Sequence, residues 1–191
     1  MKEPILEPLL RRARVAKALP VIRNYPRCQF LDFGCGWEAR LLKDVAPYIS
    51  RGVGIDQKAP AIESEKLATL RADLESALPF EPHSFDVVAM LAVLEHLSDP
   101  LRALVEIRRV LRPQGTLILT VPSHAAKPVL EFLAYRLKLV NPAEIADHKR
   151  YYGRRDLREL SSQAGFRMCA HRYFQLGFNN FATLQPRVSA Y

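Results

Sequence analysis

Short apolar runs alternate with amphipathic stretches along most of the chain. Five runs predict strands because they are short, apolar and bounded by polar or turn residues; they span residues 29–33, 52–55, 70–72, 85–90 and 116–121. The stretches between them predict helices over residues 39–48, 59–66 and 101–111. Alternating strands and helices are typical of a parallel sheet with helices on both faces.

Three further helices lie outside this alternation. Residues 7–18 predict a helix with an apolar face, which we expect Pro20 to end. Residues 127–139 and 156–164 predict two more, and Gly165 is placed to end the second.

The last part of the chain predicts an antiparallel hairpin, with strands over residues 167–174 and 180–185. Because crossovers in parallel sheets are right-handed, the whole pattern predicts an α/β fold with a Rossmann-like, doubly wound, seven-stranded mixed sheet that ends in this hairpin. We expect a single domain over residues 1–191. Its predicted parts are an N-terminal helix (1–27), a ligand-binding core (28–122), and the later helices and hairpin (123–191).

A glycine turn, Gly34-Cys35-Gly36, follows the first predicted strand. In open α/β sheets ligands bind beyond the carboxyl ends of the strands, and glycine lets a ligand approach the backbone closely. The spacing Gly34-x-Gly36-x-x-Ala39, with Asp56 about 20 residues further on, also fits a dinucleotide site.

Three features favour a positively charged ligand over a dinucleotide. Asp32 precedes the first glycine, and its carboxylate would repel a pyrophosphate but attract an ammonium or a sulfonium group. A second acid, Asp73, follows the third strand. The terminal hairpin also takes the place of a second nucleotide-binding half.

Five segments in this order resemble the class I S-adenosylmethionine-dependent methyltransferases, specifically the type 11 group: LDFGCG, GVGID, ADL, FDVVAMLAVLEHL and EIRRVLRPQGTLILTVPS. The resemblance covers residues 29–121 and continues more loosely through DHKRYYGRRDLREL. It implies that S-adenosyl-L-methionine is the cofactor. It also implies a set of cofactor-binding residues: Asp32, Gly34 and Gly36 for the methionine part, Asp56 for both ribose hydroxyls, Asp73 and the Leu74 amide for adenine, and Leu91 beside the adenine and the methyl group. Taken singly, Asp56 and Asp73 are better explained as helix caps or turn acids. Taken together, each after the right strand, they favour the ligand role.

One position departs from the family's pattern, because Glu38 stands where a third glycine is usual. Its carboxylate would lie near that of the methionine part unless it points outward or Arg40 offsets it. This departure bears on cofactor affinity and not on the fold. Trp37, the only tryptophan, is expected to pack in the core, with closure of the site as the alternative.

Methyl transfer from a sulfonium mainly requires alignment and exclusion of water, and a base only when the acceptor is protonated. His96 and His148 are the candidate catalytic bases, and we expect Asp147 to orient His148. A role in ordering a loop or a turn is the alternative for each histidine. Tyr151 and Tyr152 are candidate substrate-binding residues that could stack on an acceptor. No pattern in the sequence predicts a metal site.

Composition bears on partners and compartment. The net charge of +8 is most simply a solvated basic face, and an anionic acceptor, an acidic partner or a membrane surface are the alternatives. The three cysteines match no zinc pattern, no apolar run is long enough to span a membrane, and the first residues form no secretory signal. We therefore expect a cytoplasmic protein.

The resemblance implies methyl transfer to an oxygen, nitrogen or carbon atom of a non-protein acceptor. The short stretch after the fifth strand predicts a small lid and an open acceptor side, which favours a glycan, a lipid-linked or a quinone-like acceptor. Glu38 keeps open a cofactor-binding protein with weak or lost catalysis that acts through a partner. The high isoelectric point keeps open an RNA methyltransferase. A nicotinamide dehydrogenase is least favoured.

Overall fold

The computed structural model describes residues 6–136 and 139–187. Its seven strands are β1 (Cys28–Phe33), β2 (Ile49–Asp56), β3 (Leu67–Arg71), β4 (Phe85–Leu91), β5 (Leu111–Pro122), β6 (Phe166–Phe174) and β7 (Asn179–Pro186). They form one sheet in the order β3-β2-β1-β4-β5-β7-β6. Strands β1 to β5 run parallel, whereas β7 pairs antiparallel with β5 and with β6. The predicted mixed sheet with its terminal hairpin is therefore confirmed.

Six α-helices accompany the sheet in the described part of the chain: α1 (Glu7–Arg23), α2 (Arg40–Val45), α3 (Pro100–Val110), α4 (Ala126–Tyr135), α5 (Pro142–Ala146) and α6 (Arg154–Gln163). The core is divided between the two faces of the sheet. Apolar residues of α1 and α2 pack on one face, and those of α3 and α6 pack on the other. None of the helices in the described ranges is both long enough and apolar enough to cross a bilayer.

Helix α3 shows how the local sequence sets a helix. The Asp99 carboxylate accepts a hydrogen bond from the Arg102 amide at 3.0 Å, and Pro100 occupies the first turn, where no amide hydrogen is needed. Ala103, Leu104 and Ile107 then recur on one buried face.

Helix α1 does not end at Pro20 as predicted but continues to Arg23. Proline removes one backbone hydrogen bond from a helix. The next turn still carries Ile22, which is fully buried against the sheet. Burial of a side chain of this size is worth about 1.5–3 kcal/mol, which is comparable to the cost of the proline.

The predicted helix over residues 59–66 is wrong, because this segment is a loop with one isolated bridge between Glu63 and Ala68. The Thr69 hydroxyl accepts from the Ile62 amide at 2.9 Å, and the Ser64 hydroxyl accepts from the Leu67 amide at 3.0 Å. Such side-chain-to-backbone bonds compete with helix formation.

The other terminal elements differ from the predictions mainly in their ends. Helix α4 ends at Tyr135, and the predicted extension to 139 includes residues 137 and 138, which lie outside the described residues. Gly165 follows α6 with a φ of +78°, as expected of a residue that ends a helix. Helix α5 was not predicted.

Candidate active site

A cavity of about 660 Å³ lies beyond the carboxyl ends of the parallel strands. The chain runs outward from β1 to β3 and then returns to place β4 beside β1, so the strand order reverses between β1 and β4. Ligands bind at such a reversal in open α/β sheets. One half of the cavity wall, the polar half, follows these strand ends and includes Gly34, Gly36, Asp56, Asp73, Leu74 and Leu91.

The two positions of the turn after β1 that are glycine require it for different structural reasons. Gly34 has a φ of +82°, and a Cβ there would lie 2.3 Å from Cγ2 of Val93, so this position is closed to any side chain. Gly36 has a φ of +67°, and a Cβ there would meet nothing within 4 Å. Because Gly36 lines the cavity, its bare backbone leaves room for a ligand.

Asp56, at the end of β2, ties the glycine turn to the neighbouring strand. Its Oδ2 accepts from the Gly36 amide at 3.0 Å, and its Oδ1 accepts from the Lys58 amide at 2.8 Å. Each carboxylate oxygen has a further lone pair, so a ligand hydroxyl could still donate to either one.

Asp32 lies beneath the turn and is only 3% exposed. The Leu42 amide in the first turn of α2 donates to its carboxylate, while Oδ2 has no partner among the described residues. Burial, with a smaller contribution from the nearby Asp56, raises the pKa of Asp32 to about 7. Asp32 is not itself among the residues that line the cavity.

Asp73 orders a turn and also lies on the cavity wall. Its Oδ1 accepts from the Glu75 amide at 3.1 Å and its Oδ2 from the Ser76 hydroxyl at 2.8 Å, so it orders a turn. These hydrogen bonds hold the pKa of Asp73 below its usual value. The residue also lines the cavity together with Leu74.

Trp37 does not pack in the core as expected. It is 66% exposed and lines the cavity, so the alternative of a residue at the edge of the site describes its position better. Glu38 forms an ion pair with Arg40 and is absent from the cavity wall. Arg40 therefore offsets the carboxylate that stands in place of the third glycine.

The two candidate histidines come together on the cavity wall. His96 ends a 3₁₀ turn, Leu94–His96, that follows β4, and His148 follows α5. Their ring centroids are 4.9 Å apart. Asp147 was predicted to orient His148, but its hydrogen-bond partner is His96. Its Oδ2 lies 2.9 Å from Nδ1 of His96. Burial, followed by the neighbouring His96, lowers the pKa of His148 to about 4.

The two candidate substrate-binding tyrosines do not line the cavity within the described residues. Tyr152 is only 5% exposed and belongs to the main core, so stacking of its ring on an acceptor is excluded in this conformation. Tyr151 instead supports a histidine, because its hydroxyl lies 3.3 Å from Nδ1 of His148.

Two features of the cavity escaped the sequence analysis. Glu95 is 1% exposed and lines the wall beside His96. The available signal was that Leu94 and Leu97 flank the pair Glu95-His96. The second half of the wall, the apolar half, comes from α1, α4 and the α5 region, so the acceptor side is not simply open. Its main residues are Leu6, Leu10, Leu130, Leu133, Val140 and Ile145.

Comparisons with known proteins agree with this geometry. A family model described as a methyltransferase domain matches residues 31–119. The chain is 31% identical over 182 residues to demethylmenaquinone methyltransferase of Staphylococcus aureus. The alignment covers 81% of this chain and 73% of that protein. The chain belongs to the class I S-adenosylmethionine-dependent methyltransferases. The family predicted from the sequence is thus confirmed, and with it the cofactor that defines the family.

Other relatives are less fully covered by this chain. It is 28% identical over 151 residues to a ubiquinone biosynthesis O-methyltransferase of Neisseria meningitidis, across 71% of this chain and 62% of that protein. It spans only 29% and 51% of the length of relatives from Streptomyces fradiae and Mycolicibacterium smegmatis. A solved Burkholderia thailandensis 1,6-didemethyltoxoflavin-N1-methyltransferase with bound S-adenosylhomocysteine shares the fold, with a TM-score of 0.71, 15% identity and coverage of 95% of this chain and 82% of that one.

Proposed function

We propose that this methyltransferase transfers the methyl group of S-adenosylmethionine to a hydroxyl oxygen or a ring carbon of an apolar, quinol-like acceptor. The observation that carries the proposal is the division of one cavity into a polar half at the strand ends and an apolar half under α1, α4 and α5. A site of this size and mixed character is usual for a pair of small ligands.

The polar half suits the cofactor chemically. The Gly36 backbone leaves space for the methionine part, and the carboxylate of Asp56 keeps lone pairs for ribose hydroxyls. Asp73 and Leu74 line the wall where adenine would lie. Asp32 lies beneath the turn with its Oδ2 unpartnered among the described residues, and the cofactor's positive charge nearby would favour its ionised form.

The apolar half supports the choice of acceptor. Six aliphatic side chains from three separate helical regions face this part of the cavity: Leu6, Leu10, Leu130, Leu133, Val140 and Ile145. Such a wall stabilises an aromatic or prenylated compound by burial of apolar area. Two relatives are quinone methyltransferases by name, which points to the same class of acceptor.

The bound cofactor supplies an electrophilic methyl carbon on a sulfonium. The cofactor would give up its methyl group and keep the electron pair of the carbon–sulfur bond, while the acceptor oxygen or ring carbon would bond to the methyl and lose a proton. His148 lies on the wall, and its lowered pKa leaves the ring neutral at pH 7. The ring can therefore accept a hydrogen bond from the acceptor hydroxyl, but it is a weak base for the proton. The apolar half excludes water from the reacting atoms.

The proposal is tested in two steps on the purified chain. Titration calorimetry with S-adenosylmethionine is expected to show one binding site, and absence of binding at millimolar cofactor would overturn the proposal. A short-chain demethylmenaquinol and a catechol-type quinol are then supplied as acceptors, and S-adenosylhomocysteine and the methylated quinol are measured by mass spectrometry.

Two other outcomes of this test would redirect the assignment. Cofactor binding without turnover on any quinol would favour the cofactor-binding protein that acts through a partner. Turnover on RNA that weakens steeply with added salt would favour the RNA methyltransferase, because phosphate contacts release counterions.

A further inference from the structure

Three side chains that are common metal ligands meet on the cavity wall between its two halves. Glu95 and His96 belong to the 3₁₀ turn after β4, and His148 reaches them from the segment after α5. One ligand atom of each lies within 4.8 Å of the others. Within the described residues, this is the one group of three or more potential ligands so placed.

Each histidine has its Nδ1 atom in contact with a neighbouring polar side chain. Nδ1 of His96 lies 2.9 Å from Oδ2 of Asp147, and Nδ1 of His148 lies 3.3 Å from the Tyr151 hydroxyl. These contacts leave Nε2 of each ring for an ion. Metal-binding histidines typically use their second nitrogen in this way, toward a carboxylate or another polar group that orients the ring.

Glu95 provides an independent indication of a ligand. The residue is 1% exposed, and its Oε2 has no hydrogen-bond partner among the described residues. A buried carboxylate oxygen without a partner is costly and calls for a cation or a donor. The Arg14 guanidinium is near, but it is bonded to Glu7. An ion at the centre of the group would satisfy this oxygen directly.

We propose that Glu95, His96 and His148 bind one divalent transition-metal ion of the Zn²⁺, Co²⁺ or Fe²⁺ type. Two imidazoles and one carboxylate are a ligand set suited to these ions and poorly suited to Mg²⁺ or Ca²⁺. Around an ion with bonds of about 2.0–2.1 Å the donor atoms stand about 3.4 Å apart, so small side-chain rotations are needed to close the group.

Three protein ligands leave a coordination position open toward the cavity. An acceptor hydroxyl bound there would have its pKa lowered by the ion and would lose its proton to solvent more readily. His148 would then act as a ligand instead of a base. This role of the ion, but not its binding, rests on the proposed function.

The test uses the full chain after removal of metals with EDTA, with Co²⁺ as the probe. One equivalent of Co²⁺ is expected to bind and give visible absorption without a thiolate charge-transfer band, since no cysteine is a ligand. Glu95→Gln and His148→Ala are each expected to weaken binding at least tenfold. His171→Ala is the matched control, because this histidine is bonded to Asn180 on the sheet and belongs to no such group; it should leave the affinity unchanged.

Several results would overturn the metal site. These are no binding at millimolar Co²⁺, a thiolate band, or affinity that both ligand variants retain. Circular dichroism checks that each variant folds, and His96→Ala replaces either variant that does not. Cofactor titration on the metal-free chain keeps the two proposals apart. Intact cofactor binding with no Co²⁺ binding rejects the metal site alone, whereas Co²⁺ binding with no cofactor binding rejects the proposed function alone.

Discussion

Gly36 combines a backbone conformation that favours glycine with a place on the cavity wall. Gly36→Ala would place a methyl group in the cavity at a φ of +67°. We expect it to weaken S-adenosylmethionine binding at least tenfold, measured by titration calorimetry, because the cofactor must approach this backbone. Gly177→Ala is the matched control, since Gly177 also has a positive φ (+91°) and open space but lies in the β6–β7 turn. The control should lose about 1 kcal/mol of stability and none of the cofactor affinity. Equal cofactor affinities in the two variants would contradict this interpretation of the turn.

Asp32 makes stability depend on pH in a predictable direction. Its pKa is raised from 3.8 to about 7, so between these values the folded state holds a proton that the unfolded state has lost. The free energy of unfolding contributed by this group therefore falls as pH rises from about 4 to 7, by at most about 1.4 kcal/mol per pH unit. Asp32→Asn removes this dependence. Urea unfolding at pH 4.5, 6 and 7.5 should show the free energy of unfolding of the variant rising relative to that of the natural protein as pH rises. A constant difference between the two would show that the pKa of Asp32 is not raised.

At the scale of elements, the start of α6 depends on one carboxylate. Oδ2 of Asp156 accepts from the Gly153 amide at 2.7 Å and lies 2.6 Å from Nε2 of His124. Asp156→Ala should lower the free energy of unfolding by about 1 kcal/mol in urea titrations at pH 7. Glu159→Ala, an exposed change on the same helix, should have little effect. If both variants unfold at the same denaturant concentration, the cap contributes nothing.

The strands were predictable because each is a short apolar run whose burial leaves little choice of structure. Every predicted strand is present, and β2, β3 and β5 differ only in where they begin or end. The segment over residues 59–66 failed because hydroxyl side chains, and not an apolar stripe, decide its backbone. Helix α5 is five residues long and is set by packing of Ile145 against α4 and α1, which local sequence does not encode.

The site was predictable only where it follows the strand ends. Gly36, Asp56 and Asp73 lie directly after parallel strands, whose carboxyl ends meet at one edge of the sheet. Trp37 was expected in the core and is exposed, whereas Tyr152 was expected at the acceptor and is buried. Whether a side chain lies at the surface or in the core depends on contacts with distant segments. The approach of His148 to His96 likewise depends on where the chain returns after α5.

At the scale of the whole molecule, the cavity joins parts that the chain keeps far apart. The polar half comes from the ends of the parallel strands, and the apolar half comes from helices near the chain start and after β5. Such a division makes cofactor binding and acceptor binding separable by substitution. It also explains how members of one family keep the cofactor and change the acceptor, since function belongs to the site and not to the fold.

This separation gives a prediction on α4, where Leu130 and Phe132 are two residues apart and have different surroundings. Leu130 lines the apolar half, whereas Phe132 is 54% exposed and is not on the cavity wall. Leu130→Ala should raise the KM for a quinol acceptor about tenfold, since a lost leucine contact in a pocket is worth about 1–3 kcal/mol, and should leave the Kd of S-adenosylmethionine unchanged. Phe132→Ala should change neither constant. A shift in cofactor affinity as large as that in acceptor KM would mean that the apolar half serves the cofactor, and the quinol-like acceptor would then need another place to bind.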